Sequence, residues 1–423
     1  MEQSTIAIII LVIVLLLYAT EALPIVVTAT LSVCAMVLLG IISPTEGLAG
    51  FANTATILGM AAMVMGEALA ASGATAYLSR LMGRAAHLSK RNFNTLLCAV
   101  SALLSACLSS LAIILIMMTV VDGIIVNSNH KFNRRESYMP IAIGSSIGGA
   151  ISLAGSSSVL TACAVYNQYM GQEIITFFGP AVLAIPATLG AILFYATVGT
   201  RLSEKWFNFE EPPLHMKAEA ESAQEKPSKT KVYLSLGIFL VCAVLWVSTS
   251  INIAIVGLLG MSACFLARCI KPDRAFTNIS WNSLVVLALS LGFASGVHAS
   301  GADLVIADFI ISICGPLGRS EMGMFLVIML LTIFLTNIMS NTATAAVVAP
   351  IAITIAEEMG VDPMLWCIGI GVGANCAVCT PIGCANMTVL LPAGYRFKDF
   401  FKPGICVCAV SMVLMCLVYA VVH

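Results

Sequence analysis

Met339-Ser340-Asn341-Thr342-Ala343-Thr344 interrupts an otherwise apolar stretch of chain. Met324 to Ile338 precedes it and Ala345 to Ala356 follows, each run 15 residues or fewer. At 1.5 Å of rise per residue such a run reaches roughly 20 Å, short of the ~30 Å hydrocarbon core of a bilayer. Three consecutive polar side chains are costly in lipid unless protein or water satisfies them. The stretch therefore predicts a hairpin of two half-helices over about 321–358. It enters a membrane, turns at Ser340-Asn341-Thr342 and leaves on the side it entered. Such a tip has to line a site walled by protein or filled by water.

The rest of the chain supports a membrane setting. Its 423 residues are 60% hydrophobic and only 10% charged, and the mean hydropathy is +1.01. That composition excludes an ordinary soluble domain. A net charge of −1 gives no basis for binding nucleic acid. Most of the 15 cysteines (Cys34, Cys98, Cys242, Cys264 and Cys416 among them) lie inside apolar runs, where Cys behaves as a small hydrophobe. The spacing Cys376-Ala377-Val378-Cys379, with Cys384 beyond, has no accompanying His and reads as packing. The first apolar run, Thr5 to Leu17, has no basic flank or small-residue cleavage site, so a mature helix is expected there rather than a signal peptide.

Apolar segments fall at about 4–20, 23–42, 53–70, 138–168 and 178–200, then at 232–248, 251–268, 282–298, 363–392 and 403–422. A polar linker, 201–231, separates the two sets. Between the third and fourth segments of each set lies an amphipathic run followed by a hairpin-like piece: 72–90 with 93–126, and 299–317 with 321–358. The halves 1–200 and 232–423 read as one unit repeated. Ala71-Ser72-Gly73-Ala74 returns as Ala299-Ser300-Gly301-Ala302. Leu108-Ser109-Ser110 stands where Met339-Ser340-Asn341 stands, and Gly155-Ser156-Ser157-Ser158 where Gly383-Cys384-Ala385-Asn386 stands. Gly171 with Phe177, Phe178 and Pro180 matches Gly394 with Phe400, Phe401 and Pro403. A repeat of this size in a membrane chain points to a secondary transporter with its site at the repeat interface.

Charge gives the orientation. With five spans per half, one non-crossing hairpin in each and an external N-terminus, the inner segments are 72–92, 127–137, 201–231, 268–280 and 394–402. These hold all 20 Lys and Arg residues except Arg319, the asymmetry that the positive-inside rule describes. Five spans per half also invert the second repeat relative to the first. Both termini are then expected outside and the linker in the cytoplasm, with the chain in the cell's inner (plasma) membrane. The two hairpin tips approach one another near the midplane.

Four elements are expected to converge there: the tips Ser109-Ser110 and Ser340-Asn341-Thr342, and interruptions of the fourth span of each half. The first interruption is Gly148 to Ser152 with Gly155 to Ser158. The second is Cys379-Thr380-Pro381-Ile382-Gly383. Pro381 removes a backbone donor and frees carbonyls, which suit a hard cation such as Na⁺. Helix N-termini with Ser, Thr and Asn donors suit a carboxylate. No Lys or Arg sits in the apolar part of a span, so a bound anion has to rely on neutral donors, dipoles and co-bound cations. Asn337 and Asn375 flank the second interruption and are expected to support it. Glu67 reads as a solvated or capping group and Asp122 as a solvated one, both near the inner side, and His298 as a packing or interfacial residue closing a span at the outer side. No paired intramembrane Asp, HExxH or GxGD signals an enzyme.

Ser340-Asn341-Thr342-Ala343-Thr344-Ala345-Ala346, Pro350, Thr380-Pro381-Ile382-Gly383, Asn386 and Gly394-Tyr395-Arg396-Phe397-Lys398-Asp399-Phe400 closely resemble the divalent anion:sodium symporter family of dicarboxylate, citrate and sulfate carriers. Ile42-Ser43-Pro44 with Glu46 to Asn53 resembles the same family. The resemblance implies an all-α integral membrane protein of two inverted repeats, each of five transmembrane helices and one re-entrant hairpin. It also implies an elevator mechanism and a homodimer. Carried over, it places substrate contacts at Ser109, Ser110, Ser152, Ser340, Asn341, Thr342, Thr380 and Pro381. It places one Na⁺ at Thr336, Met339, Asn341 and Cys379, and another at Ser105, Ser110 and Ile151. The first half departs from the family pattern: Ser109-Ser110-Leu111 replaces Ser-Asn-Thr, and Leu111 offers a carboxylate no hydrogen bond. The expected function is Na⁺-coupled symport of a C4-dicarboxylate or similar small organic anion. The alternatives are exchange, or carriage of citrate or sulfate, without two-site Na⁺ coupling, and more remotely a passive channel.

Overall fold

The computed structural model describes residues 2–73, 84–127, 132–171, 175–209, 229–249, 251–315 and 317–422. Most of the expected linker and of the amphipathic run 72–90 lies outside the described residues. Among the described residues all regular structure is helical. The first half contains α1 (Gln3–Thr20), α2 (Ile25–Leu38), α3 (Pro44–Leu48), α4 (Thr54–Ala71), α5 (Lys90–Ser105), α6 (Ser110–Asn127), α7 (Arg134–Gly148), α8 (Ser157–Met170), α9 (Ala181–Phe194) and α10 (Thr200–Trp206). The second contains α11 (Lys229–Ser248), α12 (Ile253–Leu266), α13 (Pro272–Asn278), α14 (Trp281–Ala299), α15 (Ala302–Cys314), α16 (Glu321–Thr336), α17 (Asn341–Glu358), α18 (Met364–Ala374), α19 (Ala385–Thr388) and α20 (Phe397–Val422).

Six helical stretches are long and apolar enough to cross a membrane: Gln3–Thr20, Pro44–Ala71, Ala181–Trp206, Thr230–Ser248, Trp281–Ala299 and Phe397–Val422. The protein is a multi-pass membrane protein. Two expected spans, 23–42 and 251–268, form helices of only 14 residues. The first stops before Gly40, whose φ is +72°, and the second before Arg268, whose φ is +53°. These left-handed residues end the helices while the sequence is still apolar.

Burial divides the helices into two groups. On α1 the buried residues Ala7, Ile10, Leu11, Val14 and Tyr18 recur at helical spacing on one face, while Ile9, Val12, Ile13 and Leu16 are exposed and apolar. That is a helix with one face on protein and the other on lipid. By contrast, α17 is buried from Thr342 to Pro350 without a break, and α18 is buried from Leu365 to Ala374. They pack with α8 at the centre of the molecule, and α14 packs against α2, α8 and α17. Glycine permits the closest approaches. A Cβ on Gly144 would meet the Cys98 carbonyl oxygen at 2.3 Å, and one on Gly148 would meet Ala102 Cα at 2.3 Å. Small residues thus bring α7 against α5, the packing device common between membrane helices.

Two helix pairs stand out: α5 with α6 and α16 with α17. Each is joined by four residues, Ala106 to Ser109 and Asn337 to Ser340. The polar motif does not itself form the turn, as the sequence suggested. Ser340 is the N-cap of α17 and accepts from Ala343 N–H at 3.2 Å. Asn341 and Thr342 are therefore the first helical residues, and α17 is longer than its apolar run. A polar Ser-Asn-Thr starts a helix because side-chain oxygens satisfy the orphan amides of the first turn.

Candidate functional site

The spans at 138–168 and 363–392 are broken, and the breaks meet the turns of the two helix pairs. Between α7 and α8 the chain passes through a 3₁₀ turn, Gly149–Ile151, and extended residues at Ser152 and Ser156. Between α18 and α19 it runs without regular helix from Asn375 to Cys384. Gly155 and Gly383 allow the contact. A Cβ on Gly155 would lie 2.3 Å from the Gly149 carbonyl oxygen and 2.5 Å from that of Ser105. A Cβ on Gly383 would lie 2.2 Å from the Thr336 carbonyl oxygen and 2.7 Å from that of Met339. Any other residue would push the broken span away from the turn it crosses.

A cavity of about 370 Å³ opens at this junction. Ser109, Ser110, Asn341 and Thr342 line it, so the two tips face one space. Ser156 and Ser157 line it from the first break, and Asn375, Cys384 and Asn386 from the second. The N-termini of α6, α8 and α17 all border it, and each contributes a partial positive charge. Glu67 is the one charged residue among the described lining residues. It accepts a 2.7 Å hydrogen bond from the Asn278 amide at the rim.

Hydrogen bonds hold the polar lining in place. The Ser105 and Ser110 hydroxyls are 2.6 Å apart, and Ser110 also donates to the Ser145 carbonyl at 3.2 Å. In the second half Thr336 donates to Asn341 Oδ1 at 3.0 Å and to the Ala374 carbonyl at 2.7 Å. Asn375 joins the halves: its amide donates to Ser156 and Ser158 Oγ at 2.9 Å each. Ser157 and Thr342 share a hydrogen bond of 2.8 Å between hydroxyls.

The remaining expected site residues lie behind the cavity wall. Ser152 is buried and donates to the Ala106 carbonyl at 2.5 Å. Thr380 donates to the Asn337 carbonyl at 2.6 Å, and Pro381 accepts from Thr388 at 2.6 Å. The amide of Cys379 donates to Asn337 Oδ1 at 2.9 Å, and its thiol lies 3.9 Å from Cys408 Sγ. Ser340 caps α17, Met339 is buried, and Ile151 closes the 3₁₀ turn. Leu111, Ala112 and Ile116 make the adjoining wall apolar.

The sequence reading underweighted Ser156, Ser157 and Asn375. The repeat of Gly155 to Ser158 at Gly383 to Asn386 marked the first two. Asn375 is more than a flanking residue, because it reaches across to the other half. Glu67, expected as a solvated group, lines the cavity mouth.

Several known proteins are similar to this chain. The sodium-dependent dicarboxylate transporter SdcS of Staphylococcus saprophyticus is 24% identical over 95% of this chain and 82% of its own length. An uncharacterized transporter of Haemophilus influenzae is 24% identical over 94% of this chain and 87% of its own. An uncharacterized transporter of Synechocystis is 31% identical over 146 residues, a stretch that spans 34% of this chain and 24% of that protein. Two solved structures share the fold at 13% identity. The Neisseria gonorrhoeae MtrF structure, described within a class of antimetabolite efflux pumps, has a TM-score of 0.64 over 99% of this chain and 95% of that one. The Alcanivorax borkumensis YdaH transporter has a TM-score of 0.59 over 91% and 87%. The family model described as citrate transporter matches residues 15–368 and, again, 243–423. With this match over most of its length, and with membrane carriers rather than enzymes as its relatives, the chain belongs to the citrate transporter family.

Proposed function

We propose that the protein is a secondary active carrier of small organic anions that co-transports Na⁺ with a C4-dicarboxylate. The observation that carries this reading is the cavity itself. Both helix tips, both span breaks and three helix N-termini face it, and no described Lys or Arg does. Neutral donors and dipoles are weak holders of a full anionic charge, so affinity has to draw on cations bound nearby.

The donor sets fit such cations. Thr336, Met339, Asn341 and Cys379 form the second-half set, and Ser105, Ser110 and Ile151 the first. Thr336 Oγ1 and Asn341 Oδ1 are 3.0 Å apart. Gly383, bare of a side chain, packs its backbone directly against the Thr336 and Met339 carbonyls. Asn341 serves both roles, ligand to the cation and donor to the anion, and this links the two occupancies.

The halves 1–200 and 232–423 act as inverted repeats in this reading, with α5–α6 and α16–α17 as re-entrant hairpins. The hairpins and broken spans move together against a scaffold built on α4, α12 and α14, in an elevator-like motion, and the scaffold is the dimer contact. By the distribution of Lys and Arg the mouth beside Glu67 and Asn278 faces the cytoplasm of an inner-membrane protein, with both termini outside. Leu111 in the cavity wall favours a second reading, in which the first half holds one cation fewer and the carrier exchanges anions.

The test is uptake of labelled succinate into proteoliposomes, with and without an inward Na⁺ gradient. Symport gives accumulation that collapses without Na⁺. Uptake that ignores Na⁺ but requires internal counter-anion establishes exchange instead. Flux that does not saturate indicates a channel.

A further inference from the structure

Glu67 is the only charged residue of α4 and sits one turn before that helix ends at Ala71. An ionisable side chain in a membrane span is expensive and marks a functional position. In an anion carrier, a carboxylate that lines the binding cavity also repels the substrate, unless the substrate has a group to answer it. It is the one charge on the cavity wall to which the proposed function gives no task.

The surroundings of Glu67 give that charge a use. Gly66, the preceding residue, lies against the turn of the first helix pair. A Cβ there would be 3.6 Å from the Cys107 carbonyl oxygen and 3.9 Å from Leu108 Cα, an ordinary contact distance. Glu67 therefore stands where α4 meets the tip Ser109-Ser110, and both line the cavity. The Asn278 amide donates to Glu67 Oε1 at 2.7 Å. Among the described residues no donor reaches Oε2. Ala62, Met63, Gly66 and Ala70, the other cavity-lining residues of α4, have no polar side chain to offer it. The hydroxyls of Ser280 and Ser283, beside Asn278, bond to each other at 2.8 Å. One carboxylate oxygen is thus left to the cavity.

The cavity is consequently bipolar. At the second tip the N-termini of α8 and α17 meet through Ser157 and Thr342, with the Asn341 amide beside them. Partial positive charge and neutral donors there suit a carboxylate. Beside the first tip stand the full negative charge of Glu67 and the carbonyl end of α4, whose dipole adds to it. The first tip offers two hydroxyls and no amide, enough for a second carboxylate to rest at the start of α6. A ligand that satisfies all three positions has two carboxylates and, between them, a cationic donor. An ammonium group pairs with Glu67 and hydrogen-bonds to its free oxygen at once, which makes the bond charge-assisted.

We infer that Glu67 is the specificity-determining residue of the cavity, and that the substrate it selects is a C4-dicarboxylate bearing an ammonium group. The ammonium is a cation that the described lining lacks, so the substrate brings part of its own counter-charge. A plain dicarboxylate leaves Glu67 unanswered and binds less tightly. The inference rests on the proposed carrier function and narrows its substrate.

The test is equilibrium binding of aspartate, malate and succinate to the purified protein in saturating Na⁺, for the wild type, E67Q and N278A. Malate places a neutral hydroxyl where aspartate places its ammonium, so the pair separates charge from hydrogen bonding. The wild type binds aspartate roughly ten- to a hundredfold more tightly than malate, the span of a hydrogen bond to a charged group. E67Q keeps an oxygen to accept from Asn278 but loses that ratio, and it gains affinity for succinate. N278A keeps the carboxylate and with it the preference for aspartate. A wild type that binds aspartate no more tightly than malate overturns the inference, as does an unchanged ratio in E67Q. Loss of the ratio in N278A to the same extent as in E67Q also overturns it, because Glu67 is then only a tie between α4 and α13. Uptake into proteoliposomes separates this inference from the carrier reading. Succinate accumulation with no preference for aspartate removes the role of Glu67 and leaves the carrier. Tight aspartate binding that E67Q abolishes, with no accumulation of any of the three, counts against the carrier and leaves the role of Glu67.

Discussion

Ser157 and Thr342 share a 2.8 Å hydrogen bond between hydroxyls across 185 residues of sequence. Ser157 begins α8 and Thr342 lies in the first turn of α17, so the bond joins two helix N-termini inside one cavity. An anion bound between these termini competes for the same two hydroxyls.

That competition is measurable. S157A, T342V and the double variant form a cycle for succinate affinity. The single substitutions each weaken binding by about 0.5–1.5 kcal/mol, the net value of a neutral hydrogen bond. The double variant departs from additivity, as expected of residues in contact. Strict additivity in equilibrium binding would place the substrate elsewhere.

Asn341→Ala removes an oxygen from the Thr336 pair and an amide from the cavity together. Uptake is expected to fall by at least ten- to a hundredfold, the equivalent of a charge-assisted hydrogen bond of about 1.5–3 kcal/mol. The melting temperature in detergent stays close to wild type. Near-normal uptake by this variant would remove Asn341 from the site.

Ser110→Ala acts on the other tip. Its hydroxyl is already engaged by Ser105 and by the Ser145 carbonyl, and it has no amide to offer. The expected loss is tenfold or less. A loss as severe as that of Asn341→Ala shows the first half to be an equal partner.

Leu111→Thr introduces a hydroxyl into the apolar part of the cavity wall. The KM for succinate is expected to fall while that for a monocarboxylate such as propionate stays unchanged. Equal change for both anions would mean that residue 111 does not meet the second carboxylate.

Gly383→Ala and Gly123→Ala separate packing from helix propensity. A Cβ at 383 would lie 2.2 Å from the Thr336 carbonyl oxygen, whereas at 123 nothing lies within 4 Å. Gly383→Ala should destabilise by about 1–3 kcal/mol and abolish uptake, the cost of overpacking. Gly123→Ala, within α6, should be neutral or stabilising by up to about 1 kcal/mol. Thermal melts of the two purified variants decide between these outcomes.

The fold was legible where composition and length are decisive. Hydropathy located the helices, and polar interruptions at Ser109-Ser110 and Ser340-Asn341-Thr342 located the helix pairs. Boundaries were less so. Ser-Asn-Thr reads as a turn because its residues are polar, yet the same oxygens that favour a turn also cap a helix, and here they begin α17.

By itself the sequence determined a membrane protein whose apolar stretches are interrupted by polar residues, because the bilayer penalises every unsatisfied polar group. Tertiary structure alone decided which of those polar groups reach the cavity. Thr380 and Ser152 turn their hydroxyls to backbone carbonyls, while Ser157 and Asn375 reach across to the opposite half. Hydroxyls and amides have several partners within reach of one backbone, and only the packing of distant helices selects among them.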